Sequence, residues 1–205
     1  MKINDTTTRS ANNFDSHLKL TPKAKEVGHF EHRLSNQSIL FWPGQNSMIK
    51  HGINTIISRF PNKKNNNNFV FVDMNIQTMC FFLKSNWFEK FKNHKIVIIC
   101  DRHMIALANF WFFDTLDLQV ISAIFPPTDS FRAIEEKFSD ILNGKQFLPE
   151  RAQTRLSSNE FLMLRFFFNG LRIKEIAYEY KYSVKTIYTY KRRIEKKLRI
   201  RIPKS

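Results

Sequence analysis

SSNEFLMLRFFFNGLRIKEIAYEYKYSVKTIYTYKRRIEKKLRI, residues 157–200, resolves into three helical patterns separated by two tight breaks. Ser157 and Glu160 have the spacing of a capping box, in which a hydroxyl and a carboxylate satisfy free amide donors at a helix start. Phe161, Leu162, Leu164, Phe167 and Phe168 then supply apolar contacts until Asn169 and Gly170 stop the helix. A second, short helix is expected from Ile173 to Tyr180, burying Ile176, Ala177 and Tyr180, with Ala177 small where the next helix crosses. Lys181 and Tyr182 make a turn, and Ser183 is placed to cap a third helix over Val184 to Leu198. In that third helix Val184, Ile187, Ile194 and Leu198 are expected inside; Lys185, Tyr188, Thr189, Lys191, Arg192, Lys196 and Arg199 are expected outside. Two short helices joined by a tight turn, the second basic and projecting, form a helix-turn-helix.

The charge distribution supports that geometry. From Arg151 to Ser205 there are 15 Lys and Arg against 4 Glu, whereas residues 1–150 carry 18 against 14 acids. From Lys181 to Lys204 only Glu195 opposes ten basic residues, whereas solvated charged faces mix signs. A polyanion is the expected partner, and double-stranded DNA fits both the charge and the helix-turn-helix.

Upstream the pattern changes. Residues 1–35 are polar and broken by Pro22 and Gly28, which reads as a flexible arm. Strand-like runs follow at Ser38–Trp42, Phe69–Asp73, Lys95–Cys100 and Val120–Ile124. Between and after them, helical spacing is expected at Ser47–Phe60, at Asn75–Phe91, at His103–Phe113 and at Asp129–Asn143 before Gly144. Strands alternating with helices predict a parallel sheet covered by helices. The expected organisation is therefore an arm over 1–35, an α/β domain over 36–146, a linker over 147–155 and an all-α helix-turn-helix domain over 156–205. The aromatic run Phe110, Trp111, Phe112 and Phe113 reads as core packing.

Other function classes find little in the residues. No stretch approaches the roughly 18 apolar residues needed to span a bilayer, and MKINDTTTRSANN lacks the apolar run of a secretory signal. A cytoplasmic protein without a membrane partner is expected. Cys80 and Cys100 are far apart in sequence, and no pair among the six histidines has the i, i+4 spacing of a helical zinc site. No metal, no cofactor and no catalytic residue is expected, since a nucleophile-base pair and a Gly-rich phosphate loop are both missing.

On its motifs the C-terminal segment resembles the LuxR/FixJ (NarL-like) class of bacterial transcription regulators, from about Leu156 to Leu198. The family's L-(S/T)-x-x-E start stands here as LSSNE, its G-x-x-x-K-E-I-A as GLRIKEIA, and its S-x-K-T-(V/I) as SVKTI. The resemblance implies that Tyr188, Thr189 and Arg192 reach base edges, where Arg suits guanine and Tyr or Thr offers hydrogen bonds or contact to a thymine methyl. It assigns Lys174, Lys185, Thr186, Tyr190, Lys191, Arg193 and Lys196 to the phosphate backbone, which sets position and affinity. Tyr190 stands where many relatives carry His, leaving backbone contact and packing as its two readings. Relatives often continue into a fourth, dimerising helix where this chain reads RIRIPKS, so the partner question stays open between a homodimer and a heterodimer with another regulator.

The N-terminal half resembles a degenerate receiver. Asp73 stands where the phosphoacceptor of that module falls, yet PGQNS after the first strand lacks the acidic pair that holds Mg²⁺, and Phe125 precedes Pro126 where a receiver has Lys. Asp73 therefore reads as a strand-end residue and the regulator as phosphorylation-independent, with a conventional response regulator phosphorylated at Asp73 as the alternative. VFVDMN, ALANFWFF and SVKTIYTYKRRIEKKL together resemble the enterobacterial LuxR-type regulators of fimbrial (common pilus) operons.

Overall fold

Apolar runs in which successive residues are all buried build the sheet. In the computed structural model, which describes residues 30–34, 37–44, 46–60, 68–84, 86–149 and 154–203, five strands form one sheet in the order β1 to β5. They are β1 (Phe30–Leu34), β2 (Gln37–Trp42), β3 (Asn68–Met74), β4 (His94–Cys100) and β5 (Ile121–Phe125). β2 to β5 run parallel, whereas β1 pairs antiparallel with β2. β3 and β4 are central and covered on both faces, which is why they read as continuous apolar runs without alternation.

The residues of β3 divide between two cores. Phe69 and Phe71 point to a face covered by α1 (Ser47–Ile57) and α3 (Phe131–Leu142), through Ile53, Ile56, Phe138 and Ile141. Val70, Val72 and Met74 point to the other face, covered by two 3₁₀ segments and by α2 (Ile105–Asp114).

This topology departs from the receiver plan. A doubly wound sheet of order 2-1-3-4-5 reverses direction after its second strand. Here, among the described residues, α1 and then β3 follow β2, and the edge place goes to the antiparallel β1. The β2–β3 and β3–β4 connections step the same way along the sheet but lie on opposite faces. They therefore have opposite hands, and one departs from the right-handed rule.

Three expectations change. β1 falls inside the segment read as an arm and pairs antiparallel with the next strand, β2, with Phe30 opposite Phe41; residues 1–29 of that arm lie outside the described residues. Asn75–Phe91 is not one amphipathic helix but two 3₁₀ segments, Ile76–Leu83 and Glu89–Phe91. Met79, Phe81, Phe82 and Leu83 are all buried, so no polar stripe exists for an α-helix to present. β5 is shifted by one residue, to Ile121–Phe125. The linker reading falls partly on residues 150–153, outside the described residues. No described helix is long and apolar enough to cross a membrane.

Candidate nucleic-acid interface

Three helices with defined ends build the C-terminal domain: α4 (Ser158–Phe168), α5 (Ile173–Glu179) and α6 (Val184–Leu198). The capping box forms as expected, with the Ser157 amide donating to Glu160 Oε2 (2.8 Å) and the Glu160 amide to Ser157 Oγ (3.2 Å). Gly170 at φ +79 closes α4, and Leu171 N–H returns to the Phe166 carbonyl at 3.1 Å. The same closure ends α5, where Lys181 takes φ +55 and Tyr182 N–H reaches the Ala177 carbonyl at 3.1 Å. Ser183 Oγ then accepts from the Thr186 amide at 3.0 Å and starts α6. This chain of local bonds sets the angle between α5 and α6.

At about 100° per residue, Lys185, Tyr188, Thr189, Arg192 and Lys196 fall within an arc of about 100° on α6. All five are exposed, Tyr188 at 50 %, and Arg193 adjoins them. Lys174 is exposed on the neighbouring α5. Thr189 Oγ1 donates to the Lys185 carbonyl (3.0 Å), leaving its lone pairs and methyl for a partner. Thr186 is half-buried, and its hydroxyl lies 2.7 Å from Ser183 Oγ, within the helix cap.

The opposite face holds Ile187, Lys191, Ile194 and Leu198. Lys191 was expected outside and on the phosphate backbone, but it is 7 % exposed and donates from Nζ to the Pro203 carbonyl at 3.0 Å. The reason lies in its spacing, four after Ile187 and three before Ile194, which puts it in the inner stripe. Val184, expected inside, is 44 % exposed at the start of α6. Tyr190 is half-buried, its ring 6.2 Å from that of Tyr182, which favours packing among its two readings.

Acids are withdrawn from the basic face. Glu195 accepts from the Ile202 amide (2.9 Å), and Glu160 accepts from Lys197 Nζ (2.6 Å). Lys185, Arg192, Arg193 and Lys196 make no ion pair among the described residues. Their field is therefore available to a polyanion.

The α/β domain holds this unit from behind. The Phe110 and Phe161 rings stack at 4.4 Å, Trp111 meets Phe161 edge-on at 5.1 Å, and Leu156 N–H donates to the Ala106 carbonyl at 3.1 Å. The His103 ring donates from Nδ1 to the Leu198 carbonyl (3.0 Å) at the end of α6. One apolar cluster accordingly runs through both domains, and the ALANFWFF segment is core as expected, with Phe110 and Trp111 facing the C-terminal domain. Spacing gave no signal for His103, which lies 95 residues from its partner.

At the receiver-like position, Asp73 is the residue before the last of β3 and lines a small cavity with Phe41, Trp42, Asn46, Ile49 and Lys50.

Comparison with known proteins finds two family models on this chain. The model of the EcpR N-terminal domain matches residues 18–142, and that of the bacterial regulatory proteins of the luxR family matches residues 154–202. YqeH of Escherichia coli (strain K12), described as uncharacterized, is 26 % identical over 166 residues, 80 % of this chain and 77 % of that protein. Among solved structures, the two-component response regulator RcsB in complex with DNA shares 19 % identity at a TM-score of 0.42, over 76 % of this chain and 88 % of that one. RcsB from Salmonella enterica serovar Typhimurium, bound to promoter rprA with a phosphomimetic, shares 18 % at a TM-score of 0.39, over 80 % and 95 %. A luxR-family model thus covers the three-helix C-terminal domain, and the EcpR N-terminal domain model covers the sheet that packs behind it.

Proposed function

The chain belongs to the family of the EcpR N-terminal domain, and on that premise we propose that it is a sequence-specific transcription regulator that acts without phosphorylation and controls fimbrial genes. The observation that carries this reading is the exposed arc of Lys185, Tyr188, Thr189, Arg192 and Lys196, open while the two domains are docked. In this arrangement α6 needs no release before it enters a major groove. Tyr188, Thr189 and Arg192 read base edges; Lys174, Lys185, Arg193 and Lys196 hold phosphates.

Independence from phosphorylation rests on Asp73. A phosphoryl group and its Mg²⁺ need space and charge partners. Among the described residues, no second carboxylate lines the cavity beside Asp73. Fimbrial control rests on the family membership and on the VFVDMN and ALANFWFF segments.

Footprinting at moderate salt on the chain's own upstream region and on pilus promoters tests the function. A protected site that persists in Asp73→Asn is expected; no protection at any of them would sink it. Incubation with a small phosphodonor and Mg²⁺ followed by mass measurement tests the second part, with an unchanged mass expected.

A further inference from the structure

The two edges of the sheet differ among the described residues. Carbonyls of β5 are taken up by the segment after α3, where Phe147 N–H donates to the Ser122 carbonyl (2.9 Å) and Gln146 Nε2 to the Ile121 carbonyl (2.8 Å). At the other edge, β1 pairs with β2 alone. An unpaired row of N–H and C=O groups recruits another strand, which is why edge strands are commonly blunted by a bulge, a proline or lysines. β1 reads Phe-Glu-His-Arg-Leu, without proline or lysine, and keeps an unbroken register with β2 over all five residues.

The register also says which backbone groups face outward. Two residues separate Leu34 from Gln37, the pair that closes the hairpin. Such a closing pair is hydrogen-bonded, and bonded and non-bonded pairs alternate along the ladder from it. Phe30, His32 and Leu34 therefore turn their N–H and C=O toward β2, whereas Glu31 and Arg33 turn theirs to the outer edge.

The order of residues then selects the partner. Two copies that join edge to edge in antiparallel fashion are related by a two-fold axis through the sheet, so one residue faces its own copy. Three such registers overlap by at least three residues of β1. Centred on Glu31 or on Arg33, the pairing sets like charge against like; centred on His32, it sets each Glu31 opposite Arg33 of the second copy. In that central register the charge pairs coincide with the outward-facing N–H and C=O groups, and Phe30 meets Leu34 at both ends. The two five-stranded sheets become one.

We propose that β1 is a self-complementary docking edge, to which a second copy of this chain adds antiparallel with His32 opposite His32. One five-residue strand from each copy is a small contact, so the dimer is reversible and concentration-dependent. Two copies joined in this way carry two reading helices to a two-fold symmetric operator. That consequence rests on the function proposed above; the pairing itself does not.

Sedimentation velocity of the full chain at moderate salt, over a rising concentration series, is expected to show a reversible dimer. Glu31→Arg and Arg33→Glu each bring like charges together at both pairs and are expected to weaken it at least about tenfold. An equimolar mixture of the two restores opposite charges and is expected to recover the dimer, as is the double variant, whose strand is self-complementary again. Neither rescue is open to a variant that merely fails to fold. Single variants that dimerise at the parent's strength overturn the proposal, and so does a mixture that stays monomeric. A parent that is monomeric throughout, its edge covered by other residues of the chain or kept for a different protein, overturns it as well. Register is read by a disulfide in the Cys80→Ser background. His32→Cys sets two thiols at a non-hydrogen-bonded pair, with Cα atoms about 4.5 Å apart, and should cross-link on oxidation; Arg33→Cys faces Glu31 and should not. Equal cross-linking of the two overturns the register. These readouts contain no DNA, so a failure of the regulator function leaves them unchanged.

Discussion

Replacing Lys191 separates two roles with opposite signatures. A phosphate-contacting lysine contributes to affinity for all DNA, and its removal flattens the salt dependence by about 0.9 in log–log slope. The buried Lys191 instead packs its stem in the core of the C-terminal domain and ties Pro203 through Nζ at 3.0 Å. Lys191→Ala removes three buried methylenes, at about 0.8 kcal/mol each, for a loss of about 2.4 kcal/mol. The charged hydrogen bond is partly offset by the desolvation of its ammonium, so the total lies at about 2–4 kcal/mol. Lys191→Met refills the volume with an apolar chain and is expected within about 1 kcal/mol of the parent. Both substitutions should leave the salt slope of operator binding unchanged once corrected for the folded fraction. Urea denaturation of the three proteins, followed by fluorescence anisotropy on operator DNA across a salt series, provides the numbers. A Lys191→Met protein of parental stability whose slope falls by about one charge would refute the inward placement.

Other substitutions probe the rest of the assembly. Arg192→Ala should cost about 1–3 kcal/mol in operator binding and relax the preference at one base position, whereas Lys185→Ala should weaken binding to every sequence; equal losses on specific and random DNA in both would contradict the division of roles. Phe161→Ala removes the ring between Phe110 and Trp111 and should cost about 3–5 kcal/mol, with a larger radius of gyration in solution scattering, while the half-exposed Phe168→Ala changes neither. Lys181 holds φ +55 without being glycine, so Lys181→Gly should raise the melting temperature, by an amount matching about 1 kcal/mol. Burial, with Asp101 and Asp129 nearby, pushes the Cys100 thiol up to about 12. Its folded pKa exceeds the ordinary thiol value of 9.0, so the folded state keeps a proton that the unfolded state loses. Stability from this group is complete below about pH 9 and declines toward about pH 12, and iodoacetamide at pH 8 should label the half-exposed Cys80 and spare Cys100.

Much of the C-terminal domain was legible because its determinants are local. Ser157 with Glu160, Gly170 and Ser183 satisfy backbone groups within five residues of themselves, so their types and spacing announce the ends of α4 and α6. The strand runs were legible for a related reason, since burial on both faces leaves a continuous apolar signature. Where the reading failed, a lysine was judged by its type rather than its place. The inner-stripe spacing of Lys191 was visible, but only the Pro203 carbonyl shows how its ammonium is accommodated.

By itself, then, the sequence determined the helix-turn-helix, the basic stripe on α6 and the alternation that makes a parallel sheet, because each is written in intervals of two to four residues and in the sum of charges. Tertiary structure alone decided the antiparallel edge strand, the opposite hands of successive crossovers, and the 3₁₀ path of residues 76–83. It also decided the seating of Phe161 against Phe110 and Trp111, which leaves the reading face open, and the stacking of Trp42 on Trp87. The ring contacts join residues 45 or more positions apart, chosen by which apolar surfaces fit together, and no local interval encodes such a choice.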